Sequence, residues 1–455
     1  MTDREPDERA QRPEDQHQYV PHPDAVQPEV VAGHPGDAPS TPAAAPEEPK
    51  PTFWAAVRQE LWADNAVTVT LLAIVLAMLF GGLLMIVGNA ELRQQWSYFF
   101  YQPGETLSAT FDFIGTAYGS LFKGSILDPD VVNRWYWDLA TWQAALYPIS
   151  ETLTYAAPLI LTGLAVAIPF RAGLFNIGGQ GQSIMGAIAG GAVGFALSLP
   201  TVLHVLTAVV AGALAGGLYG YLVGLLKART GAHEVIVTIM LNYIALYFLA
   251  WFIIQPGIKE PKIPDAISKA AKESARLPQI FDPSLRANIG IILAILAAAG
   301  ISWLLKRGTF GFELRAVGYN PDAARTAGIK VGATLALTMA LAGALAGLGG
   351  TVAALGSGVP FAITNDVVGQ IGFNGILVAL LGRVKPWGVV AAGLLFGALQ
   401  AGGKTLQATT GVSEQLVTVI QALIVIFVAA PILVKALFRL RKSPSVAAHA
   451  GLAKG

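Results

Sequence analysis

Long runs of apolar residues almost free of charge constrain this chain more than any other feature. "AVTVTLLAIVLAMLFGGLLMIVG" (66–88) holds no ionisable side chain, and comparable runs recur as far as "VTVIQALIVIFVAAPILV" (417–434). About twenty such residues in a helix cross the hydrocarbon core of a bilayer. Lipid offers the backbone no hydrogen-bonding partner, so an uninterrupted run must satisfy its own N–H and C=O groups, as a helix does. Only 13% of the residues are charged and 54% are hydrophobic, against about 25% charged in soluble domains. The fold class expected is an all-α polytopic membrane protein.

Ten spans are predicted, at about 67–88, 148–169, 174–198, 203–226, 235–255, 288–305, 333–356, 366–382, 387–402 and 414–434. They make a transmembrane domain over 67–437. Residues 106–126 carry Asp112 and Lys123 and read as a surface or re-entrant piece. Residues 1–52 hold eleven prolines and eleven acidic residues against four basic ones. Such a segment buries too little apolar surface to offset its ordering entropy, and a disordered tail is expected. Residues 53–66 read as an interfacial amphipathic segment anchored by Trp54 and Trp62. Residues 438–455 form a second tail. Lys and Arg concentrate in alternate loops (Arg171, Lys227, Arg229, Lys306, Arg307, Arg315, Arg325, Lys330, Arg383, Lys385) and after the last span. The positive-inside rule puts these loops and both termini in the cytoplasm. The loop 256–287 dissents with six basic residues, balanced by four acidic ones, and is assigned outside.

Several function classes lack their residues. There is no cysteine, and the six histidines are scattered without metal-ligand spacing. A net charge of +1 implies no attraction to nucleic acid. "GALQAGGKT" (397–405) mimics a phosphate loop, but the first required glycine is Ala398 and no strand precedes it. No nucleotide, metal or other cofactor is expected in this chain.

A faint repeat pairs "TGAHEVIVTI" (230–239) with "TGVSEQLVTV" (410–419). Five spans separate the two starts, so they face opposite sides, as in a five-plus-five inverted repeat. Chance similarity between two helix starts is the alternative. In "RAGLFNIGGQGQSIMGAIAGGAVG" (171–194), Asn176, Gly179, Gln180, Ser183, Gly186, Gly190 and Gly194 share one helical face. That face is either a close helix seam or a polar strip along a solute path. Asn242 lies within the fifth span beside Tyr243, and Asp366, Gln370 and Asn374 recur every four residues. Amides at such depth need a protein or solute partner. The island "GFELRAVGYNPDAARTAGI" (311–329) contains a short helix over 321–327 with its own signals. Asn320 is the cap, Pro321 suits the first position, Asp322 and Arg325 complement the dipole, and Gly328 ends it.

"RAGLFNIGGQGQ", "LLKARTGAHEVIVTIMLNYIA", the island and "ILVALLGRVKPWGVVAAGLLFGAL" resemble the bacterial ABC nucleoside-importer permeases, in the group with ribose and branched-chain amino-acid permeases. The resemblance runs in order over about 140–435. It implies a type II ABC-importer-like fold and import driven by a separate ATPase, which holds the ATP and Mg²⁺. It also implies a second related permease subunit, an extracellular substrate-binding lipoprotein and the cytoplasmic (inner) membrane. The island becomes the coupling helix, with Glu313, Arg315, Asn320, Pro321, Asp322, Arg325 and Gly328 addressing the ATPase. Phe175, Asn176, Gln180, Gln182, Asn242, Tyr243, Gln370, Phe373 and Asn374 become candidates for the solute path. One position departs: the family commonly reads N-I-G-x-E-G-Q, and Gln180 stands at the Glu place. A simple sugar such as ribose is the other solute expected, and an ion-coupled secondary transporter is the other mechanism. The latter needs a carboxylate buried at mid-membrane.

Overall fold

The computed structural model describes residues 66–356 and 360–438. The acidic tail, residues 53–65 of the interfacial segment and residues 439–455 lie outside the described residues. Helices α1 (Ala66–Gly88), α2 (Ala90–Ser97), α3 (Pro103–Ser125) and α4 (Pro129–Tyr136) come first. They are followed by α5 (Trp142–Arg171), α6 (Gly179–Ala196), α7 (Thr201–Thr230) and α8 (Glu234–Ile253). After a long loop come α9 (Gly290–Arg307), α10 (Thr309–Tyr319), α11 (Pro321–Thr326) and α12 (Val331–Gly356). The chain closes with α13 (Ile371–Leu381), α14 (Pro386–Thr410), α15 (Gln415–Ala429) and α16 (Pro431–Phe438). Seven of these helices, α1, α5, α7, α8, α9, α12 and α14, are long and apolar enough to cross a membrane.

The other three expected spans are shorter or broken. The run 174–198 becomes helical only at Gly179, with 174–178 non-helical ahead of it. The span expected over 366–382 begins at Ile371, and Gly369 turns the chain at φ +48°. Asp366 and Gln370 therefore precede the helix and form no helical stripe with Asn374. The last span stops at Ala429, and Pro431, which cannot donate a backbone hydrogen bond, opens α16. Residues 106–126 belong to a continuous 23-residue helix, α3, packed along α14. Gly124 meets Thr405 and Gly402 meets the Leu121 carbonyl, so two glycines set the approach.

The most buried long helix is α5, whose central window is 83% enclosed. It packs most extensively on α14 and also on α13, while α12 packs most extensively on α7 and then α6. Each leading helix thus lies against the third and second helices of the other group of four, and α5 and α12 also touch each other. Such reciprocal packing is what a pseudo-two-fold relation between α5–α8 and α12–α15 would give. The two repeat motifs have matching local geometry. Gly231 and Gly411 cap α7 and α14 in the left-handed conformation (φ +70° and +68°). Thr230 and Thr410 each donate to the carbonyl four residues back and accept from the amide two residues on. The symmetry stops at the first helix of each five, since α1 lies on α15 whereas α9 lies on α5.

Close packing of α6, α7 and α12 explains the small face read from the sequence. Gly186 faces the Gly347 backbone, Gly190 faces Thr351, and Gly194 faces Ala271 and Leu355. Thr351 Oγ also donates to the Gly186 carbonyl at 3.1 Å. Over its glycines, the face is a helix seam. On α7, Gly212, Gly216, Gly220 and Gly224 recur every fourth residue against α12.

Candidate functional site

The two shortened helices α6 and α13 meet start to start. A Cβ added at Gly372 would overlap the Gln180 backbone nitrogen, so only glycine permits this approach. Gln180 spans the junction. Its Nε2 donates to the Gly369 carbonyl at 2.6 Å, and its Oε1 accepts from Gly372 N at 3.0 Å. Gly372 N–H belongs to the first turn of α13, where no intrahelical acceptor exists. The glutamine amide can both donate and accept, and it does both here. A carboxylate at this place offers no donor to Gly369.

The other amides read from the sequence hold the start of α6. Asn242 Oδ1 accepts from Gly181 N at 2.8 Å, and its Nδ2 donates to the Ile177 carbonyl at 3.0 Å. Asn176 and Gln182 are 1% exposed and bond to each other through both amide groups. Asn176 also donates to the Ala165 carbonyl inside α5 and accepts from Gly178 N. Every heteroatom of these three side chains has a protein partner. Phe175, Tyr243 and Phe373 are instead more than 40% exposed, Gln370 is exposed at the cap of α13, and Asn374 is half-buried. The structure thus divides the nine residues into three buried amides that hold the start of α6, the half-buried Gln180 and Asn374, and four exposed side chains.

The island is two helices where one was expected. Tyr319 ends α10, Asn320 is extended, and α11 follows. Asn320 Oδ1 accepts from both Asp322 N and Ala323 N at 3.0 Å. At the other end, Gly328 (φ +84°) allows Gly328 N to bond Arg325 O and Ile329 N to bond Ala324 O, the paired bonds of a Schellman cap. Asp322 and Arg325 pair at 3.0 Å on the exposed face. Ala324 is buried with Val317 and Val331, with Ile329 packed against them, which pins α11 to α10 and α12. Arg315 Nη1 donates to the Leu305 carbonyl at 2.5 Å, closing α10 onto α9, and Glu313 makes no ion pair among the described residues. The missed α10 has a visible signal: Gly311, Leu314 and Val317, three residues apart, are its buried positions.

The island connects to the junction through few residues. Gly318 of α10 lies so close to the end of α5 that a Cβ there would overlap the Arg171 carbonyl. The Arg171 guanidinium donates twice, through Nε at 3.2 Å and Nη2 at 3.0 Å, to the Val384 carbonyl. Arg383 and Val384 sit at φ +52° and +57°. A β-branched residue there is strained and needs its surroundings to hold it. These two residues end α13, whose other end is bound by Gln180.

Glu151 was missed although its signal is direct: it is a carboxylate within an otherwise apolar predicted span. It is 6% exposed and pairs with Arg286 at 2.7 Å. No group of three potential metal ligands occurs among the described residues.

The model of the branched-chain amino acid transport system permease component matches residues 149–429. The chain is 39% identical over 288 residues to the guanosine ABC transporter permease protein NupP of Bacillus subtilis, covering 62% of this chain and 81% of that one. It is 38% identical over 296 residues to the nucleoside ABC transporter permease protein NupB of Lactococcus lactis, covering 63% and 80%. The glucose ABC transporter permease protein of Haloferax volcanii is 32% identical over 293 residues, covering 62% and 76%. No solved structure matches. The matched region runs from the first third of α5 to the end of α15 and contains the junction, the island and both repeat motifs, and this chain belongs to the branched-chain amino-acid transport permease family.

Proposed function

We propose that this chain is the permease subunit of an ATP-driven importer of nucleosides. The observation that carries the reading is the similarity to NupP and NupB, whose names give guanosine and nucleosides, over four-fifths of their lengths. In this reading a separate ATPase binds ATP and Mg²⁺ and docks on α11. A second, related permease completes the pore, and an extracellular binding lipoprotein delivers solute. The chain sits in the cytoplasmic membrane with both termini inside.

The double cap of α11 suits a lever, because a frayed segment transmits little force. Displacement of α10 and α11 would reach Arg171 and the Arg383–Val384 turn, and through α13 the junction bridged by Gln180. The exposed aromatics Phe175, Tyr243 and Phe373 offer ring faces on which a flat base can stack. A sugar is the second reading, favoured by the Haloferax relative named for glucose.

The test is uptake of labelled guanosine, adenosine, uridine and ribose with and without the gene. Nucleoside uptake lost on ATP depletion and resistant to an uncoupler supports the proposal. Ribose uptake alone moves the solute to sugars, and uptake abolished by the uncoupler at high ATP overturns the ATP-driven mechanism.

A further inference from the structure

A cavity with several charged and hydroxyl side chains in its wall lies away from the α6–α13 junction, between α3, α4, α5 and α14. Its volume is about 540 Å³, within the roughly 300–1,000 Å³ range of small-molecule sites. Lys123, Tyr147, Glu151, Lys404, Thr405 and Thr409 are among the residues lining it. At the rim, Lys123 pairs with Asp130 and holds that carboxyl below the usual carboxylate range.

Two groups in the wall have unused capacity. Glu151 Oε2 is taken by Arg286, and its Oε1 is buried with no hydrogen-bond partner of good geometry, although the Tyr147 side chain approaches the carboxylate. An orphaned buried carboxylate oxygen is costly and calls for an explanation. Lys404 comes from the facing helix α14. Its Nζ lies 5.0 Å from the Tyr155 ring centroid and has no carboxylate within 4 Å among the described residues. Arg286 lies over the same ring at 5.8 Å. Lys404 is exposed at the mouth of the cavity, and an ammonium carries three N–H donors, so it has donors to spare for a solute.

The charges decide what fits. An anion would meet Glu151, and a cation would meet both Lys404 and Arg286. A neutral molecule that donates to the carboxylate and accepts from the ammonium satisfies both. A vicinal diol on a ring does so: its two O–H groups donate and their lone pairs accept. The threonine hydroxyls and Tyr147 add adaptable partners around it.

We propose that this cavity is a binding site for the ribose diol of the transported solute, with Glu151 and Lys404 as the residues that recognise it. The assignment rests on the nucleoside reading above. It gives the α5–α14 contact a role in selectivity separate from the junction: bases and deoxysugars lack the groups that Glu151 and Lys404 need.

The experiment is equilibrium binding of tritiated guanosine to the assembled transporter in lipid nanodiscs, without the binding lipoprotein. Guanine and 2′,3′-dideoxyguanosine are the competitors. The wild type should prefer guanosine to the dideoxy compound by about tenfold or more, the worth of one hydrogen bond to a charged group. Glu151→Gln and Lys404→Met should each collapse that preference to within about twofold, by weakening guanosine and sparing the dideoxy compound. Lys404→Met leaves the Glu151–Arg286 pair intact, so it still tests the site if Glu151→Gln misfolds. Variants that keep the preference, or that lose both compounds equally, overturn the assignment. Gene-dependent, ATP-dependent guanosine uptake alongside unchanged variants would refute only the cavity. No guanosine uptake by the wild type would remove the nucleoside reading, and the cavity assignment with it.

Discussion

Replacing Gln180 tests the junction directly. Gln180→Leu keeps the bulk and removes both bonds, leaving Gly369 O and Gly372 N without partners. A buried group so stranded costs about 1–3 kcal/mol, and Gln180 is only half-buried, so the two together should cost about 2–4 kcal/mol. In a chain of this size that lowers Tm by roughly 2–4 °C. Gln180→Glu replaces the donor amide with a carboxyl group, and the outcome should depend on pH. As a carboxylate it still accepts from Gly372 N but sets oxygen against the Gly369 carbonyl. Once protonated it can donate there. Facing a carbonyl oxygen, the carboxylate form is the disfavoured one, so the deficit is full at pH 7 and shrinks once the group is protonated. The assay is thermal unfolding in nanodiscs from pH 7.5 to 5, read by tryptophan fluorescence with wild type alongside. A Gln180→Leu variant within 1 °C of wild type, or a Gln180→Glu variant more stable than wild type at pH 7, would refute the reasoning.

Other perturbations address the lever and the seam. Asn320→Ala should remove both cap bonds of α11 and destabilise that helix by about 1 kcal/mol, with roughly fivefold faster hydrogen exchange at Ala323 and weaker ATPase co-purification. Asn320→Ser should recover most of both. Arg171→Ala should free the strained Val384 carbonyl and lower uptake per ATP hydrolysed by about 2- to 30-fold, while the ATPase still co-purifies; an unchanged ratio would rule out this route. Gly347→Ala would drive a Cβ into the Gly212 carbonyl and cost about 1–3 kcal/mol, visible as a lower Tm, whereas Ala at Gly300, with open space around it, should change little.

How far the residues announced this structure depends on the kind of signal each carried. Uninterrupted apolar runs such as 203–226 became helices with ends within a few residues, because lipid allows little else. The capped helix at 321–327 was visible because Asn320, Pro321 and Gly328 act locally. The failures share a cause. Asp366 and Gln370 fitted a helical period, yet Gly369 breaks the chain there to let α13 start against Gly179, a contact across 190 residues that no local pattern reports. Asn176 shows a different limit: an intramembrane amide needs a partner, and the sequence leaves open whether that is protein or solute. The protein partners present are Gln182 and the α5 backbone, which only the fold supplies. Glu151 was overlooked because its counterion, Arg286, lies 135 residues away in the loop after α8.

The reciprocal packing of α5–α8 and α12–α15 has a consequence during synthesis. The glycine edge of α7 is complete once Gly224 enters the bilayer, but its partner surface around Gly343 is made about 120 residues later. At roughly 5–20 residues per second, the ribosome leaves that edge bare for about 6–25 seconds. Through that interval the first half displays a backbone-deep groove to lipid and to any other newly inserted helix with small residues. Insertion chaperones and membrane proteases would meet the chain in this state, and a message cut short before α12 would yield a product fixed in it.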